Sequence, residues 1–406
     1  MSSIAPPADL MPRLMNALRM TDQIGLREWA ERYIYIPHDY QSYGRGAMQR
    51  MTDYPMLFDI LERVDKPSVS EVVLIKSVQF GLSQNVLIPA AMRALHRGQP
   101  VLFATGLADQ AESFRAERLL RLLPHCEAFR HLDIKDRETE VYVSNGGMIS
   151  MLHNTSRSKT KTRPAQIVLC DELDMFAWGV TERLRGRMTR YNDAKMIMVS
   201  ALDPDASRKK IEDATVTPAL LEWNDSSRGY WHLPDPSAPL SHRHHWFKLE
   251  MGFPDEGGVP TSGVMWDHKK ARRSDGTIDH ARIHETAHYV TPYGTTLTDE
   301  DLRRLMPLGR QIDEVESRSD RKPGLMINCL YTPNKKLADW VISYLSAKRM
   351  GVDAYRVWML EKMCELPYLE KIEVSDRTMT MIEGRYTRGD QWTQSQHYRH
   401  VCYSGA

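Results

Sequence analysis

Paired cysteines are missing from this 406-residue chain: its five, Cys126, Cys170, Cys329, Cys364 and Cys402, stand singly, with no CxxC spacing. That excludes a disulfide framework or a cysteine-based zinc cluster and fits a reducing compartment. Long hydrophobic runs are missing too. No stretch approaches the roughly 18 uncharged apolar residues of a membrane-spanning helix, so no membrane span is expected. The opening MSSIAPPADLMPRLMNALRM holds no compact apolar core followed by a small-residue cleavage site, so a cytoplasmic protein without a secretory leader is expected. Charge leans to neither sign, 54 Lys and Arg facing 53 Asp and Glu for a net +1. A nucleic-acid partner usually goes with a basic surplus, so any such partner has to be met by local charge. What is present is ordinary for a folded chain, 42% apolar and 26% charged residues, in a length that allows two or three domains.

Residues 1–38 read as an N-terminal helical segment, because Leu10, Leu14 and Leu18 recur on one face and Leu26, Trp29 and Tyr33 continue the spacing. Between residues 68 and 206, β-rich runs at 72–78, 101–105, 140–144, 166–172 and 195–201 alternate with helix-length stretches at 84–97, 109–123 and 175–190. Nearly all-apolar strands such as 167–170 and 196–199 are what a parallel sheet covered on both faces requires. The fold class is therefore α/β, a doubly wound, mostly parallel sheet placed over 39–215. Residues 216–330, rich in Pro, Gly, His and Trp without clear periodicity, read as an irregular, β-containing middle subdomain. Helical periodicity returns in 331–406, read as a linker.

The first apolar strand ends in Lys76-Ser77-Val78-Gln79-Phe80-Gly81-Leu82-Ser83-Gln84 and opens a helix. The common phosphate loop, GxxxxGK[ST], sets its lysine just before the hydroxyl residue. Here Leu82 fills that slot and the lysine stands at the front of the loop. The physical needs are still met: Gly81 lets the backbone approach, helix N-terminal N–H groups face phosphates, Lys76 supplies charge and Ser83 can ligand Mg²⁺. A polar strand-to-helix turn is the plainer alternative. A second apolar strand ends in Asp171-Glu172, at the carboxyl edge where α/β proteins bind ligands. Asp171 would hold Mg²⁺ and Glu172 would act as general base toward the attacking water, the alternative being a helix N-cap. Loop and acidic strand, in this order in one α/β unit, point to a P-loop ATPase core with Walker A-like and Walker B-like elements. Ser200, at the end of a third strand, is either a γ-phosphate sensor or a turn serine.

The lysine-first loop KSVQFGLSQ and the strands VLCDELDMF and IMVSALDP, at these separations, resemble the ATPase motor of the lambda-type phage terminase large subunit, the GpA family. So do REWAERYIYIP, RGYWHLPDP, YGTTLTDEDLRRLMPLG and INCLYTP. The resemblance implies an ATP- and Mg²⁺-dependent motor that translocates double-stranded DNA into a procapsid. It implies Lys76 on the phosphates, Asp171 on Mg²⁺ and Glu172 as catalytic carboxylate. It also implies a terminase small subunit and a portal protein as partners and a homo-oligomeric ring, in the host cytoplasm. Three positions depart from the family. Gln84 stands where some relatives carry a second lysine. Asp235 and Ala238, then Val290 and Tyr293, stand where many relatives have CPxCG-like knuckles, so no structural zinc is expected. The sequence ends at RHVCYSGA, without the metal-binding carboxylate of the family's nuclease, so cutting activity is not expected of this polypeptide.

Other constellations lead elsewhere. His284-Glu285-Thr286-Ala287-His288 matches HExxH, the zinc-peptidase pattern that needs both histidines on one helix face. A helicase-like nucleic-acid ATPase shares the same core, and a structural remnant without turnover is a third reading. His242, His244 and His245 read as a solvated or DNA-facing loop. Basic runs at Arg157, Lys159, Lys161 and Arg163, at Arg183, Arg185, Arg187 and Arg190, and at Lys269, Lys270, Arg272 and Arg273 are solvated faces or phosphate contacts. Arg157, Arg163 and Arg187 are the candidates for an arginine finger. Tyr40 and Tyr43 either stack on adenine or pack in the core.

Overall fold

The computed structural model describes residues 24–40, 46–153, 164–211, 214–237, 245–252, 261–268, 271, 273 and 277–365. All of them fall within one compact unit, Met1–Leu366. Its frame is an 11-stranded sheet. In chain order the strands are β1 (Glu71–Lys76), β2 (Pro100–Thr105), β3 (Ile134–Arg137), β4 (Glu140–Val143), β5 (Met148–His153), β6 (Ile167–Asp171) and β7 (Lys195–Ser200), followed by β8 (Gly229–Pro234), β9 (Trp246–Phe247), β10 (Arg310–Asp313) and β11 (Gly324–Ile327). In space they run β9-β8-β11-β1-β7-β6-β2-β5-β4-β3, with β10 also on β8. From β8 to β5 every pairing along this path is parallel. The pairs at the two ends are antiparallel.

The central strands are apolar on both sides because both sides are covered. Val72 and Leu74 of β1, Phe103, Leu169 and Ile197 point into one core. Val73, Ile75, Val168, Cys170, Met196 and Met198 point into the other. Along a strand the side chains alternate, so each face draws its core from every second residue. The helix α1 (Ile88–His96), entered through a π-helical turn at Ser83–Leu87, covers the first face, while α2 (Val180–Met188) and α3 (Pro218–Asn224) cover the second. This is the mostly parallel, doubly wound α/β sheet expected.

One expectation differs. Residues 216–330 supply β8, β10 and β11 to the main sheet, and β11 lies directly against β1. The segment therefore completes the sheet that it was placed beside. Its strands are short or interrupted by Gly and Pro, so the pattern that marks a buried strand is visible only in Gly324–Ile327, all four residues of which are buried. The lead-in is helical at Leu26–Tyr33, which buries Leu26, Trp29 and Ala30. Its earlier part, residues 1–23, and the tail from 366 onward lie outside the described residues.

Candidate functional site

The strand order decides which side chains can meet. β7 lies between β1 and β6, with Ile75 opposite Ser200 and Asp171 opposite Val199. Lys76 and Glu172 therefore sit at the carboxyl edge two strand spacings apart, about 10 Å between backbones. The small Ser200 on the strand between them leaves room for a long lysine and a glutamate to meet above it. They do meet: Lys76 Nζ lies 3.0 Å from Glu172 Oε1. The lysine is buried, with 6% of its side chain exposed against 29% for Glu172. The second carboxyl oxygen, Oε2, accepts the Ala201 N–H at 3.2 Å.

Beside this pair, Ser83 Oγ donates to Asp171 Oδ2 at 2.8 Å. Asp171 Oδ1 is buried and has no hydrogen-bond partner among the described residues. Burial first, and then the neighbouring Glu172 charge, push the Asp171 carboxyl above its ordinary range, while Lys76, the Ser83 hydroxyl and Arg118 pull the other way. A hydroxyl and a carboxylate side by side, one buried oxygen left unpaired, form the hard-oxygen donor set that suits Mg²⁺. The residues fit that ion.

The loop between Lys76 and Ser83 has the backbone of an anion cradle. Gln79 (φ 63°) and Gly81 (φ 86°) are both left-handed, a conformation that glycine adopts freely and glutamine only at a cost of about 1 kcal/mol or more. Alternating left- and right-handed residues turn successive N–H groups toward one point. Among the described residues, no backbone bond engages the N–H of Gln79, Gly81, Leu82 or Ser83. The N–H groups of Ser77 and Val78 are held instead by the carbonyls of Ile327 on β11 and Glu361, at 2.9 and 2.8 Å.

The expected site residues thus divide. Lys76, Ser83, Asp171 and Glu172 come together as side chains. Ser77 and Leu82 are buried, and with Gln79 and Gly81 they shape the loop by backbone. Gln84 is buried as well, its side-chain oxygen accepting the Tyr40 hydroxyl at 2.7 Å and its carbonyl accepting Gln49 Nε2 at 3.3 Å. It pegs the loop to the N-terminal segment. Tyr40, 0% exposed, is the peg's other half and offers no stacking face; Tyr43 lies outside the described residues. Ser200 Oγ is buried, donating to Ala201 O at 2.6 Å and accepting the Asp174 N–H at 3.1 Å.

Of the arginine-finger candidates, Arg157 and Arg163 lie outside the described residues, as do Lys159, Lys161, Lys269, Lys270 and Arg272. Arg187 sits at the far end of α2, its carbonyl bonded to the Ala165 N–H just before β6 begins, so it stands at the edge opposite its own Lys76–Glu172 pair. Arg185 is spent on Glu71, Glu182 and Glu222. A cation outside every sequence motif, Arg118 in the helical turn Ser113–Leu119, weakly favours the Asp171 carboxylate through its charge.

The HExxH reading fails on geometry. The helix carrying His284, His280–Thr286, ends before His288, which begins the strand His288–Val290. The two imidazoles therefore do not share a helix face. His288 Nδ1 lies 2.8 Å from the Thr286 carbonyl. His242, His244 and Ala238 lie outside the described residues, and His245 stacks on Tyr293 with centroids 4.6 Å apart. At the first position where a knuckle was expected to be replaced, the Asp235 carboxylate accepts the Thr291 hydroxyl, the Thr295 hydroxyl at 2.8 Å and the Ser237 N–H at 2.8 Å. The segments at 235–237 and 291–295 are joined by these hydrogen bonds.

A family model described as the phage terminase large subunit gpA, ATPase domain, matches residues 44–309. No curated protein matches the chain. Solved structures similar to it include the large terminase of bacteriophage HK97, at 9% identity and a TM-score of 0.39 over 51% of this chain and 41% of that one. The match thus spans less than half the length of the HK97 protein. The large terminase ATPase domain of Thermus phage P74-26 matches at 11% identity and a TM-score of 0.41, over 74% of this chain and 90% of that one. The large terminase of a thermophilic bacteriophage, in complex with ADP, matches at 13% identity and a TM-score of 0.29, over 37% of each chain.

Proposed function

The chain belongs to the phage terminase large subunit gpA ATPase-domain family, and from that premise we propose that it hydrolyses ATP at Lys76, Ser83, Asp171 and Glu172 to drive double-stranded DNA into a procapsid. The observation that supports this reading is the meeting of Lys76 with Glu172 beside the Ser83–Asp171 pair, under a loop whose Gln79, Gly81, Leu82 and Ser83 N–H groups have no backbone partner among the described residues.

ATP phosphates enter the cradle of loop N–H groups and draw Lys76 Nζ from Glu172 onto themselves. The exchange removes the cation from the base only once substrate is present. Glu172, kept in orientation by the Ala201 N–H, then accepts a proton at its carboxylate from the water that attacks the γ-phosphate. Ser83 and Asp171 would hold Mg²⁺, which when bound neutralises phosphate charge. Arg118, and an arginine from a neighbouring copy, would add positive charge as the phosphate leaves. The motor works as a ring with a portal protein and a terminase small subunit, in the host cytoplasm. An overall balance of +1 suits a device that must grip and release DNA at each step, because uniform positive charge would strengthen the grip without helping movement.

The test is ATP turnover with and without double-stranded DNA. Duplex DNA is expected to raise the rate. Glu172→Gln is expected to bind ATP normally and hydrolyse it roughly 10²–10⁴-fold more slowly. An unchanged rate removes Glu172 as the base, and unwinding of a tailed duplex would favour a helicase instead.

A further inference from the structure

Two residues beyond Glu172 the chain turns inward. Asp174 is 3% exposed, and it belongs to none of the groups that face the phosphates. Both carboxylate oxygens are occupied: Oδ1 accepts the Ala219 N–H at 2.8 Å and Oδ2 accepts the Asp203 N–H at 3.1 Å. Its own N–H goes to Ser200 Oγ, whose hydroxyl goes to Ala201 O. Ala201 N–H in turn holds Glu172 Oε2. The bonds form one closed path from the catalytic carboxylate through the loop after β7 to the first turn of α3.

Three chain segments that are distant in sequence converge on this one side chain. The turn after β6 is itself held in an uncommon shape, Glu172 standing at φ 53°. A left-handed non-glycine residue persists only where its surroundings fix it. Asp174 is the group in those surroundings that ties the turn to both other segments. We propose that Asp174 is a positioning residue for hydrolysis: by clamping the 201–203 loop and the start of α3 to the turn after β6, it holds the Ala201 N–H where it orients Glu172. This rests on Glu172 being the base.

The experiment is a double-mutant cycle on the full chain, measuring single-turnover hydrolysis, affinity for a fluorescent ATP analogue and thermal midpoint. Asp174→Asn replaces one acceptor by an NH₂ that faces a backbone N–H, so one of the two clamped segments is released. The expected result is a fall in the hydrolysis rate of about ten- to a hundredfold, with nucleotide affinity within about twofold. In the Glu172→Gln background the same change is expected to cost nothing further, because a residue acting through Glu172 has nothing left to orient. A residue that only supports the fold would lower the midpoint and leave the rate intact, or slow both backgrounds equally; either outcome overturns the proposal. Should Asp174→Asn not fold, Thr217→Val loosens the same first turn of α3 by removing the hydroxyl that accepts the Leu220 N–H at 3.3 Å. It is then expected to slow hydrolysis severalfold in the Glu172 background alone, with Thr217→Ser restoring the rate, and an unchanged rate would overturn the proposal. A Glu172→Gln enzyme that hydrolyses ATP normally fails the base assignment itself, an outcome distinct from these.

Discussion

Two carboxylates, Asp171 and Asp235, are held by the same frame under opposite conditions. Asp171 ends β6 with one oxygen on Ser83 and the other buried without a partner among the described residues. Asp235 follows β8 with its carboxylate bonded to two threonine hydroxyls and a backbone N–H. Burial raises the first above the ordinary carboxylate range. In the second, burial pushes the same way, but the hydrogen bonds from Ser237, Thr291 and Thr295 outweigh it and hold the pKa below 3.8. A buried charge whose bonding is complete is a structural joint, and one whose bonding is incomplete is waiting for a ligand. Asp235 has the first kind of environment and Asp171 the second.

Removing charge from each region should separate the two roles. The largest effect belongs to Lys76→Ala, expected to lower the ATP hydrolysis rate on the order of 10³-fold because no other described side chain brings positive charge against Glu172 and the loop together. Asp171→Asn follows: Mg²⁺-dependent hydrolysis should drop about a hundredfold, yet the nucleotide-free protein should melt ~1–3 °C higher, since an unpaired buried charge has been removed. A lower melting point would show Asp171 to be a joint after all. Asp235→Asn should behave in the reverse way, losing about 1–3 kcal/mol of stability in denaturant titrations with ATP turnover per folded molecule unchanged. Its pH dependence has a definite sign. Because the folded pKa lies below the unfolded one, the stabilisation is fully present above the ordinary value of 3.8 and is lost as pH falls through the folded value, so wild type and Asp235→Asn should converge in acid. The smallest effect is Tyr40→Phe, which removes the hydroxyl on Gln84 and should cost about 1 kcal/mol without changing ATP affinity; a marked loss of affinity would return Tyr40 to the nucleotide site.

Much of the site was legible because its elements carry local signals. The strands 72–78 and 166–172 showed themselves by the unbroken apolar runs 72–75 and 167–170, and Lys76, Ser83, Asp171 and Glu172 by standing at strand ends and a helix start. Gln84 and Tyr40 could not be placed from sequence, since a polar or aromatic residue near a phosphate loop has the same local pattern whether it faces ligand or core; the Tyr40–Gln84 bond is visible only in the fold. The place of 229–234, 310–313 and 324–327 in the main sheet was not legible. β8 and β11 are parallel neighbours almost a hundred residues apart, and only β11 has the fully apolar pattern of a central strand.

The sequence by itself determined the central apolar strands, the loop that follows the first of them and the carboxylates that stand at the end of another, because periodicity, glycine and chain order are local properties. Only the tertiary structure decided that β7 separates β1 from β6, that Lys76 spans that gap to Glu172, that Asp174 ties three loops together and that His284 and His288 part company. Each of these depends on strand order or on where a helix stops. Both are set by long-range pairing and burial, whose free energy no single segment carries.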